Sequence, residues 1–503
     1  MSILRKLASE TALYGLPSIL GRSLNFLLVI LHTQVFAPQQ TAVMVSLYAI
    51  IAFLNVIYTY GMETAYFRFA QDDARKAYAT IMSSVLASSI IFSGLMILFA
   101  SPFVGVLGFE GQGNLIYYTA IIMATDAIAA IPLARLRHEK KAKRFTTIRI
   151  TNILLNIFFN LFFLLWCKDI YEGKYLTDLQ PLIKLIYFPE IGVGYIFLAN
   201  LLANLALLPM LTDLLLDFRF QFDIKVLKPI WNYGYPILIM GLAGTANQMF
   251  DRLALEKLLP TGIYPNRTSQ EALGIYGNVY KLSILMNLVI QAFRYAAEPF
   301  FFSQAQDKNS PKTFALVMHW FVIACCAIWV VVSVNLDFFG TIFLRRPEYR
   351  EGLPVVPVLL LGNLFLGIYY NLSIWFKLTD KTYFGTYLTF FGAGINIILN
   401  LLLIPYMGYM GCAWAFTLSC LAMTLACYLL GEKNYPIPYT RKKLLFYLIL
   451  ANILILLALQ FSFENAWQQA FWQLFLCGTF FGMVFWLEKE KFARKAAFEN
   501  KRQ

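Results

Sequence analysis

Residues 147–167, TIRITNILLNIFFNLFFLLWC, decide the fold class, because this apolar stretch carries a single charge, that of Arg149. A helix needs about 20 mostly apolar residues to cross the ~30 Å hydrocarbon core of a bilayer. The stretch lacks the alternation of polar and apolar residues that is typical of membrane barrels. We therefore predict that it spans a membrane as a helix.

Similar stretches account for most of the chain. Hydrophobic residues make up 59% and charged residues 14% of the 503 positions, whereas a soluble domain has roughly 25% charged residues. A soluble enzyme is thereby excluded, and we predict an all-α polytopic membrane protein with 14 transmembrane helices. The predicted spans are residues 11–36, 42–62, 78–100, 114–134, 147–167, 190–216, 230–250, 272–301, 313–336, 353–376, 383–404, 408–430, 444–461 and 467–487.

The distribution of basic residues predicts the orientation. With the N-terminus inside, the connections on the cytoplasmic side hold 28 of the 41 Lys and Arg residues, the outer connections hold nine, and four lie within helices. Because cytoplasmic loops of membrane proteins are enriched in Lys and Arg, both termini are expected in the cytoplasm. The same asymmetry explains the net charge of +13, so no nucleic-acid partner is expected.

An internal repeat divides the chain. Three pairs of segments match in the same order: Tyr14-Gly15-Leu16-Pro17 with Tyr233-Gly234-Tyr235-Pro236, Glu63 to Asp72 with Glu298 to Asp307, and Asn152 to Asn156 with Asn396 to Asn400. Each unit contains six spans, so the two copies run in the same direction. Parallel repeats of this kind are typical of transporters that hold the substrate between the halves. We predict a six-helix unit in residues 1–216, a second in 217–430, and two additional helices with a basic tail in 431–503.

Charged and polar residues inside the spans are candidates for a substrate site, since a charge at the bilayer centre costs about 2.5–3.5 kcal/mol. Arg is suited to bidentate phosphate binding. Helical periodicity places Arg22 and Asn25 on one face of the first helix, and Asn287, Gln291 and Arg294, together with Tyr276, on one face of the eighth. These two sets are the candidates for substrate binding, and Lys281 is a weaker one. Helix–helix hydrogen bonding is the alternative interpretation.

A second group consists of candidates for ion coupling or gating. Asp126, Asp251 and Glu298 are acids that could bind and release the coupling ion. Glu63 and Glu298 occupy matching positions in the two repeats. Two prolines each remove a backbone hydrogen bond at equivalent places and could let helices bend. The group is Asp126, Asp251, Glu298, Glu63, Pro17 and Pro236. Structural salt bridges, hinge locking and static kinks are the alternatives.

The sequence lacks the residue patterns that metal binding, redox chemistry and ATP hydrolysis require. The seven cysteines lie in or beside spans without a Cys-x-x-Cys pattern, and three histidines are scattered. A glycine-rich loop of the Walker type is absent, so ATP hydrolysis is not expected. We therefore expect neither a metal nor a cofactor, and no enzymatic activity.

Several motifs resemble those of one known group. They are the Gly-x-Pro sequences at Gly15 and Gly234, Asp251-Arg252, Gly274-Ile275-Tyr276, and the run Asn396 to Asn400, Ile404-Pro405, Gly408 and Gly411. Together with the 6 + 6 + 2 arrangement, they resemble the multidrug/oligosaccharidyl-lipid/polysaccharide exporter superfamily over essentially the whole chain. Within it, the chain is most similar to the polysaccharide-transporter branch, the O-antigen-type flippases.

The resemblance implies two lobes in a V around a central cavity, in a bacterial cytoplasmic membrane. Members pass a polyprenyl-diphosphate-linked oligosaccharide to the outer leaflet by alternating access, with cavity cations holding the diphosphate. Carried over to this chain, Arg22 and Arg294 would be those cations. Membrane lipids, a coupling ion (H⁺ or Na⁺), and polysaccharide polymerases or glycosyltransferases are the implied partners.

Three other functions are considered beside the oligosaccharide flippase. Lipid II flippases of the superfamily carry a basic residue within the second helix, whereas Arg68 lies beyond the end of that span here. A cation-coupled small-molecule exporter usually has twelve helices and often an acid in the first, but residues 11–36 contain none. A membrane glycosyltransferase or polymerase needs catalytic carboxylates or histidines in outer loops, and these loops are short.

Overall fold

The computed structural model describes residues 19–21, 23–107, 113–304 and 309–500, apart from the side chains at 296, 298, 299, 303 and 490–500. All regular elements in these ranges are helices. Their bounds are α1 Ile19–Val35, α2 Pro38–Thr59, α3 Met62–Leu98, α4 Ala100–Leu107, α5 Gly113–His138, α6 Ala142–Leu161, α7 Lys168–Tyr171, α8 Gln180–Ile186, α9 Gly194–Leu205, α10 Leu207–Met210, α11 Thr212–Leu216, α12 Ile224–Leu258, α13 Ser269–Tyr280, α14 Ile284–Gln304, α15 Ser310–Val334, α16 Leu336–Phe343, α17 Val356–Leu372, α18 Ile374–Leu378, α19 Tyr383–Met407, α20 Tyr409–Asn434, α21 Arg441–Gln460 and α22 Ala466–Asn500.

Ten helical segments in the described ranges are long and apolar enough to cross a membrane, which makes this a multi-pass membrane protein. They are Pro38–Leu98, Gly113–His138, Ala142–Tyr171, Ser269–Phe302, Ser310–Val334, Pro347–Leu378, Tyr383–Met407, Tyr409–Asn434, Arg441–Gln460 and Ala466–Lys489. The helix Ile19–Val35 and the stretch Gly194–Met210 are apolar but shorter. The count of 14 spans stays a prediction.

Left-handed backbone separates α2 from α3. Tyr60 has φ 31° and Gly61 has φ 76°, a region that glycine adopts without steric cost. A Cβ at position 61 would lie 2.7 Å from the carbonyl oxygen of Gly234. The absence of a side chain at position 61 therefore lets α3 begin directly against α12.

Helix α12 carries two prolines in its interior, Pro229 and Pro236. The helix nevertheless extends for 35 residues, from Ile224 to Leu258. It continues eight residues beyond the predicted span 230–250, so the residues directly after position 250 lie in a helix rather than in an outer connection.

The predicted eighth span is interrupted. Lys281–Ser283 form a 3₁₀ turn between α13 and α14. A 3₁₀ turn has 3.0 residues per turn instead of 3.6, so these three residues add roughly 60° of rotation. Side chains on α13 and α14 therefore do not share the single continuous face that a uniform 100° per residue predicts.

Packing links distant parts of the chain. Within residues 1–216, α3 packs on α5 and α6 on α9; within 217–430, α12 packs on α19, and α17 and α19 pack on α20. Helix α2 contacts both α12 and α13, which joins the two regions. The division into three parts proposed from the repeat stays a prediction.

The two C-terminal helices dock on α15 through a buried polar cluster. The carboxylate of Glu488 on α22 is fully buried. It accepts hydrogen bonds from Lys443 Nζ at 2.9 Å and Tyr447 Oη at 3.0 Å, both on α21. His319 Nε2 on α15 lies 3.1 Å away. Three helices thus meet at one acid.

Candidate functional site

A polar network joins the helices of the N-terminal region at Asp126. This carboxylate, on α5, accepts a hydrogen bond from Asn204 Nδ2 on α9 at 3.0 Å. Asn204 accepts one in turn from Asn152 Nδ2 on α6, also at 3.0 Å. Arg149, almost one turn before Asn152, interacts electrostatically with Asp126. A carboxylate among amides, with one cation nearby, has the ligand chemistry of a proton or monovalent-cation site.

The remaining asparagines on α6 turn toward α1. Asn156 donates to Asn25 Oδ1 at 3.4 Å, and Asn160 donates to Asn156 Oδ1 at 3.2 Å. His32 Nε2 lies 3.0 Å from Asn160 Oδ1. The predicted substrate-binding residue Asn25 is thus part of a contact between α1 and α6.

Glu63 forms an ion pair with Arg137 at the end of α5. The guanidinium also lies over the ring of Phe67, 5.0 Å from its centroid. Glu63 therefore ties the start of α3 to the basic last turn of α5. This contact fits the hinge-locking interpretation, and the gating role stays a prediction.

Asp251 and Arg252 lie inside α12, where both side chains are buried. Tyr276 on α13 donates a hydrogen bond to Asp251 Oδ2 at 2.5 Å. The Arg252 guanidinium lies 4.0 Å from the ring centroid of Tyr280 and donates to the carbonyl of Gln248. Because the predicted span ends at residue 250, the sequence places Arg252 in the outer connection that follows. This placement is wrong, since α12 continues to Leu258 and holds Arg252 in the helix.

Lys281 begins the 3₁₀ turn and lies between the two regions of the chain. Its Nζ donates to Asn278 Oδ1 at 3.2 Å. Asn278 donates to Thr41 Oγ1 on α2 at 3.0 Å, and Thr41 lies 3.0 Å from Tyr349 Oη. Arg252 and His32 both interact electrostatically with Lys281. The sequence predicted Lys281 but gave no sign that Arg252 lies beside it.

Arg294 on α14 lies over an aromatic ring. Its guanidinium carbon is 4.0 Å from the ring centroid of Tyr370 on α17. The two line a small cleft together with Asn371 and Lys377. Asn371 is buried, and neither its amide nitrogen nor its amide oxygen has a hydrogen-bond partner among the described residues. An arginine and an unsatisfied amide thus meet at the predicted cation position.

The other candidates on α14 are only partly accounted for. Asn287 and Gln291 are partly buried, and the Gln291 amide oxygen lacks a partner in the described part of the chain. The backbone of Glu298 is helical, but its side chain lies outside the described residues. Arg22 and Pro17 also lie outside them. The pairing of Arg22 with Arg294 therefore stays a prediction.

Glycines bring α2 and α13 into close contact. A Cβ at Gly274 would lie 1.9 Å from the Pro38 carbonyl oxygen, and one at Gly277 would lie 2.3 Å from Val45. Farther along α2, a Cβ at Gly241 of α12 would lie 2.8 Å from Val56. Helix α2 therefore contacts α13 near its first residues and α12 near its last.

The segment after α16 holds the connection between α1 and α2. Thr33 Oγ1 donates to the Phe343 carbonyl at 2.9 Å. Arg346 donates to the carbonyls of Gln34 at 3.3 Å and Val35 at 3.0 Å, which caps the end of α1. These bonds fasten the predicted outer ends of the two regions together.

Among the described residues, no group of three or more His, Cys, Asp or Glu side chains is arranged to hold a metal ion. The seven cysteines are free thiols, and six of them are buried.

Comparison by sequence finds a relative of the whole chain but no matching family model. An uncharacterized membrane protein of Methanocaldococcus jannaschii is 22% identical over 517 aligned positions, covering 96% of this chain and 95% of the relative.

Solved structures with the same fold are transporters. The lipid II flippase MurJ, in an inward closed conformation, superposes with a TM-score of 0.64 and 13% identity, covering 94% of this chain and 98% of MurJ. An inward-facing multidrug resistance transporter of the MATE family, in the MOP superfamily, gives 0.57 and 15%, with 86% and 94% covered. The Vibrio cholerae MATE transporter VcmN in its bent form gives 0.54 and 13%, with 88% and 99% covered. The chain shares the fold of MurJ and MATE transporters.

Proposed function

We propose that this protein is a flippase that moves a polyprenyl-diphosphate-linked oligosaccharide from the cytoplasmic to the outer leaflet, without chemical conversion. One observation carries the proposal: Arg294 lies within a membrane helix against a tyrosine ring and beside an unsatisfied buried amide. Arg294 is partly buried and forms no ion pair with the side chains that the structure describes, which do not include that of Glu298. A charge withdrawn from water needs an ionic partner, and an anionic group from the substrate would supply one.

A diphosphate matches this site chemically. Guanidinium groups bind phosphate oxygens in a bidentate way and keep their charge when buried. Lys281 adds a positive charge after α13, whereas the charge of Arg252 is balanced by Asp251, whose Oδ1 lies 3.3 Å from Arg252 Nη1. The sugar and diphosphate would pass through the space between the two halves, while the prenyl chain stays in lipid. Asn25, Asn287 and Gln291 are the proposed polar contacts, and Arg22 is the proposed second cation.

Alternating access requires one side to close while the other opens. Helix α13 packs on α2, whereas α14 packs on α15, α17 and α18 of its own region. In the orientation predicted from the basic residues, the α2–α13 contact would lie at the outer face and α14 toward the cytoplasm. This arrangement supports a state that is closed on the outside.

Net transport requires that the substrate binds the two states differently or that an ion gradient biases their exchange. We propose Asp126 as the residue that binds the coupling ion, H⁺ or Na⁺, because its carboxylate accepts a hydrogen bond from Asn204 of α9, which is in turn bonded to Asn152 of α6. Asp251 is the second candidate. Lipid-linked sugars of this kind are consumed by polymerases and glycosyltransferases, which are the proposed partners at a bacterial cytoplasmic membrane.

The similarity to MurJ keeps lipid II as an alternative substrate, and the similarity to MATE transporters keeps a small-molecule exporter as an alternative function. A proteoliposome assay separates them. Fluorescent polyprenyl-diphosphate oligosaccharide, lipid II and a cationic dye are each offered in turn, with and without a Na⁺ or H⁺ gradient. Transport of the dye alone contradicts the flippase proposal.

The site is tested by substitution of Arg294. Arg294→Ala removes a charge-assisted hydrogen bond worth about 1.5–3 kcal/mol, so flipping should fall at least about tenfold. Arg294→Lys keeps the charge but not the forked geometry and should lose part of the activity. Arg441→Ala is the matched control, because Arg441 also lies over a tyrosine, Tyr428, but pairs with Glu432 at the surface. Equal activity of Arg294→Ala and the control would remove Arg294 from the mechanism.

A further inference from the structure

A second polar cavity lies away from the proposed transport site, at the predicted cytoplasmic end of the N-terminal region. Its volume is about 560 Å³, within the range of small-molecule sites. Helices α3 and α5 and the segment after α11 form its walls. Its lining includes the rings of Tyr66 and Tyr78, the cations Arg75, Arg135 and Arg219, and the acids Glu139 and Asp217.

Two acids in this cavity are already paired with cations. Arg135 Nε lies 2.7 Å from Glu139 Oε1, and its Nη1 lies 2.8 Å from Asp217 Oδ2. The same guanidinium stacks over the ring of Tyr78, 4.7 Å from the centroid. Lys141 Nζ also forms an ion pair with Glu139, at 2.7 Å from its Oε2. Arg135 and Lys141 together balance the charges of the two carboxylates.

Two further arginines in the cavity have no such partner. Arg75 and Arg219 form no ion pair and no side-chain hydrogen bond within the described part of the chain, although both lie close enough to stabilise the charge of Asp217. Because the two carboxylates are held by Arg135 and Lys141, the cavity keeps a positive potential from Arg75 and Arg219. Both side chains are exposed, so an anion can reach them from water.

The wall that carries Arg219 is fixed in position. Gln221 donates its backbone N–H to Ser83 Oγ at 2.8 Å. Tyr78 donates its hydroxyl to the carbonyl of Leu214 at 3.0 Å. These bonds hold the segment 214–221 against α3 on both sides of Arg219. Because this segment is already held in place, an anion that binds both arginines does not have to order a free loop. The entropic cost of binding is therefore lower.

We propose that this cavity binds a phosphate-bearing anion, held by Arg75 and Arg219. Forked guanidinium groups favour phosphate oxygens over single-point acceptors, and the rings of Tyr66 and Tyr78 give an apolar wall for the group that carries the phosphate. The anion has two sources, a soluble phosphorylated molecule or a phosphorylated lipid at the membrane surface. The inference does not depend on what the protein transports.

Binding of inorganic pyrophosphate to the full-length protein in detergent tests the proposal. Thermal unfolding and microscale thermophoresis should both detect binding to the wild type. The double variant Arg75→Ala/Arg219→Ala should weaken it at least about tenfold, since each charged hydrogen bond is worth about 1.5–3 kcal/mol. The control Lys140→Ala/Lys143→Ala removes the same charge from exposed positions outside the cavity and should change affinity less than about twofold.

Two results would overturn the proposal: no pyrophosphate binding by the wild type, or an equal loss in both double variants, which indicates diffuse charge attraction. The source is identified in phosphatidylcholine nanodiscs with and without a polyprenyl phosphate. Displacement of pyrophosphate by the lipid supports the site with a lipid-borne phosphate, and unchanged pyrophosphate binding supports it with a soluble one. No transport is measured, so failure here leaves the flippase proposal unaffected.

Discussion

Replacing Gly274 by alanine should push α2 and α13 apart where they join the two halves of the chain. The new Cβ would lie 1.9 Å from the Pro38 carbonyl oxygen, whereas ordinary contacts need about 3.5 Å. The helices must therefore separate by roughly 1.5 Å. Overpacking of this kind typically costs about 1–3 kcal/mol, and the obstacle is backbone, which cannot rotate away as a side chain can.

Gly394→Ala is the matched control, because a Cβ at this helical glycine on α19 meets nothing within 4 Å. Both substitutions gain about 1 kcal/mol of helix propensity, so the difference between them isolates the clash. Thermal unfolding in detergent should give a lower Tm for Gly274→Ala than for the control.

A cysteine placed at the buried Ser46 of α2 reports the separation of the helices directly. In the Gly274→Ala background it should react with a membrane-impermeant maleimide several-fold faster than in the Gly394→Ala background. If both variants melt and label alike, the α2–α13 contact is not the closure inferred here.

Two further predictions concern charges outside the central helices. Glu488→Ala should destabilise the protein by about 1–3 kcal/mol, because it removes the buried acceptor of Tyr447, whereas Lys443, whose side chain is 45% exposed, stays hydrated. Faster proteolysis between α21 and α22 would show this loss, and unchanged resistance would contradict it. The hydrogen bond from Arg135 lowers the pKa of Asp217 below its usual value, so this pair stabilises the fold above about pH 4 and is lost as the pH falls through the lowered pKa. Asp217→Asn should thus lower Tm at pH 7 but not in acid, and an equal effect at both pH values would argue against the pair.

Hydropathy was sufficient to identify the class of this protein. Stretches such as residues 147–167 have one stable solution in a bilayer, since a helix satisfies its own backbone hydrogen bonds. Motif resemblance to the exporter superfamily agreed with the fold shared with MurJ and MATE transporters. The bounds of individual helices were less predictable. The sequence placed Arg252 in a connection after the seventh span, whereas it is buried within α12.

The placement of side chains around the candidate site was decided by tertiary structure. Periodicity put Tyr276 and Arg294 on one face, but the 3₁₀ turn at Lys281–Ser283 rotates one half of that helix against the other. The sequence predicted a role for Asp126 but not the hydrogen bond that Asn204, 78 residues away, donates to its carboxylate.

The physical reason is the range of the forces involved. Membrane insertion depends on the summed hydrophobicity of about 20 consecutive residues, which is a local property of the sequence. Partner choice for a buried charge depends on which helices come into contact. The glycine contacts at positions 61 and 274 set that packing only when the whole chain has assembled.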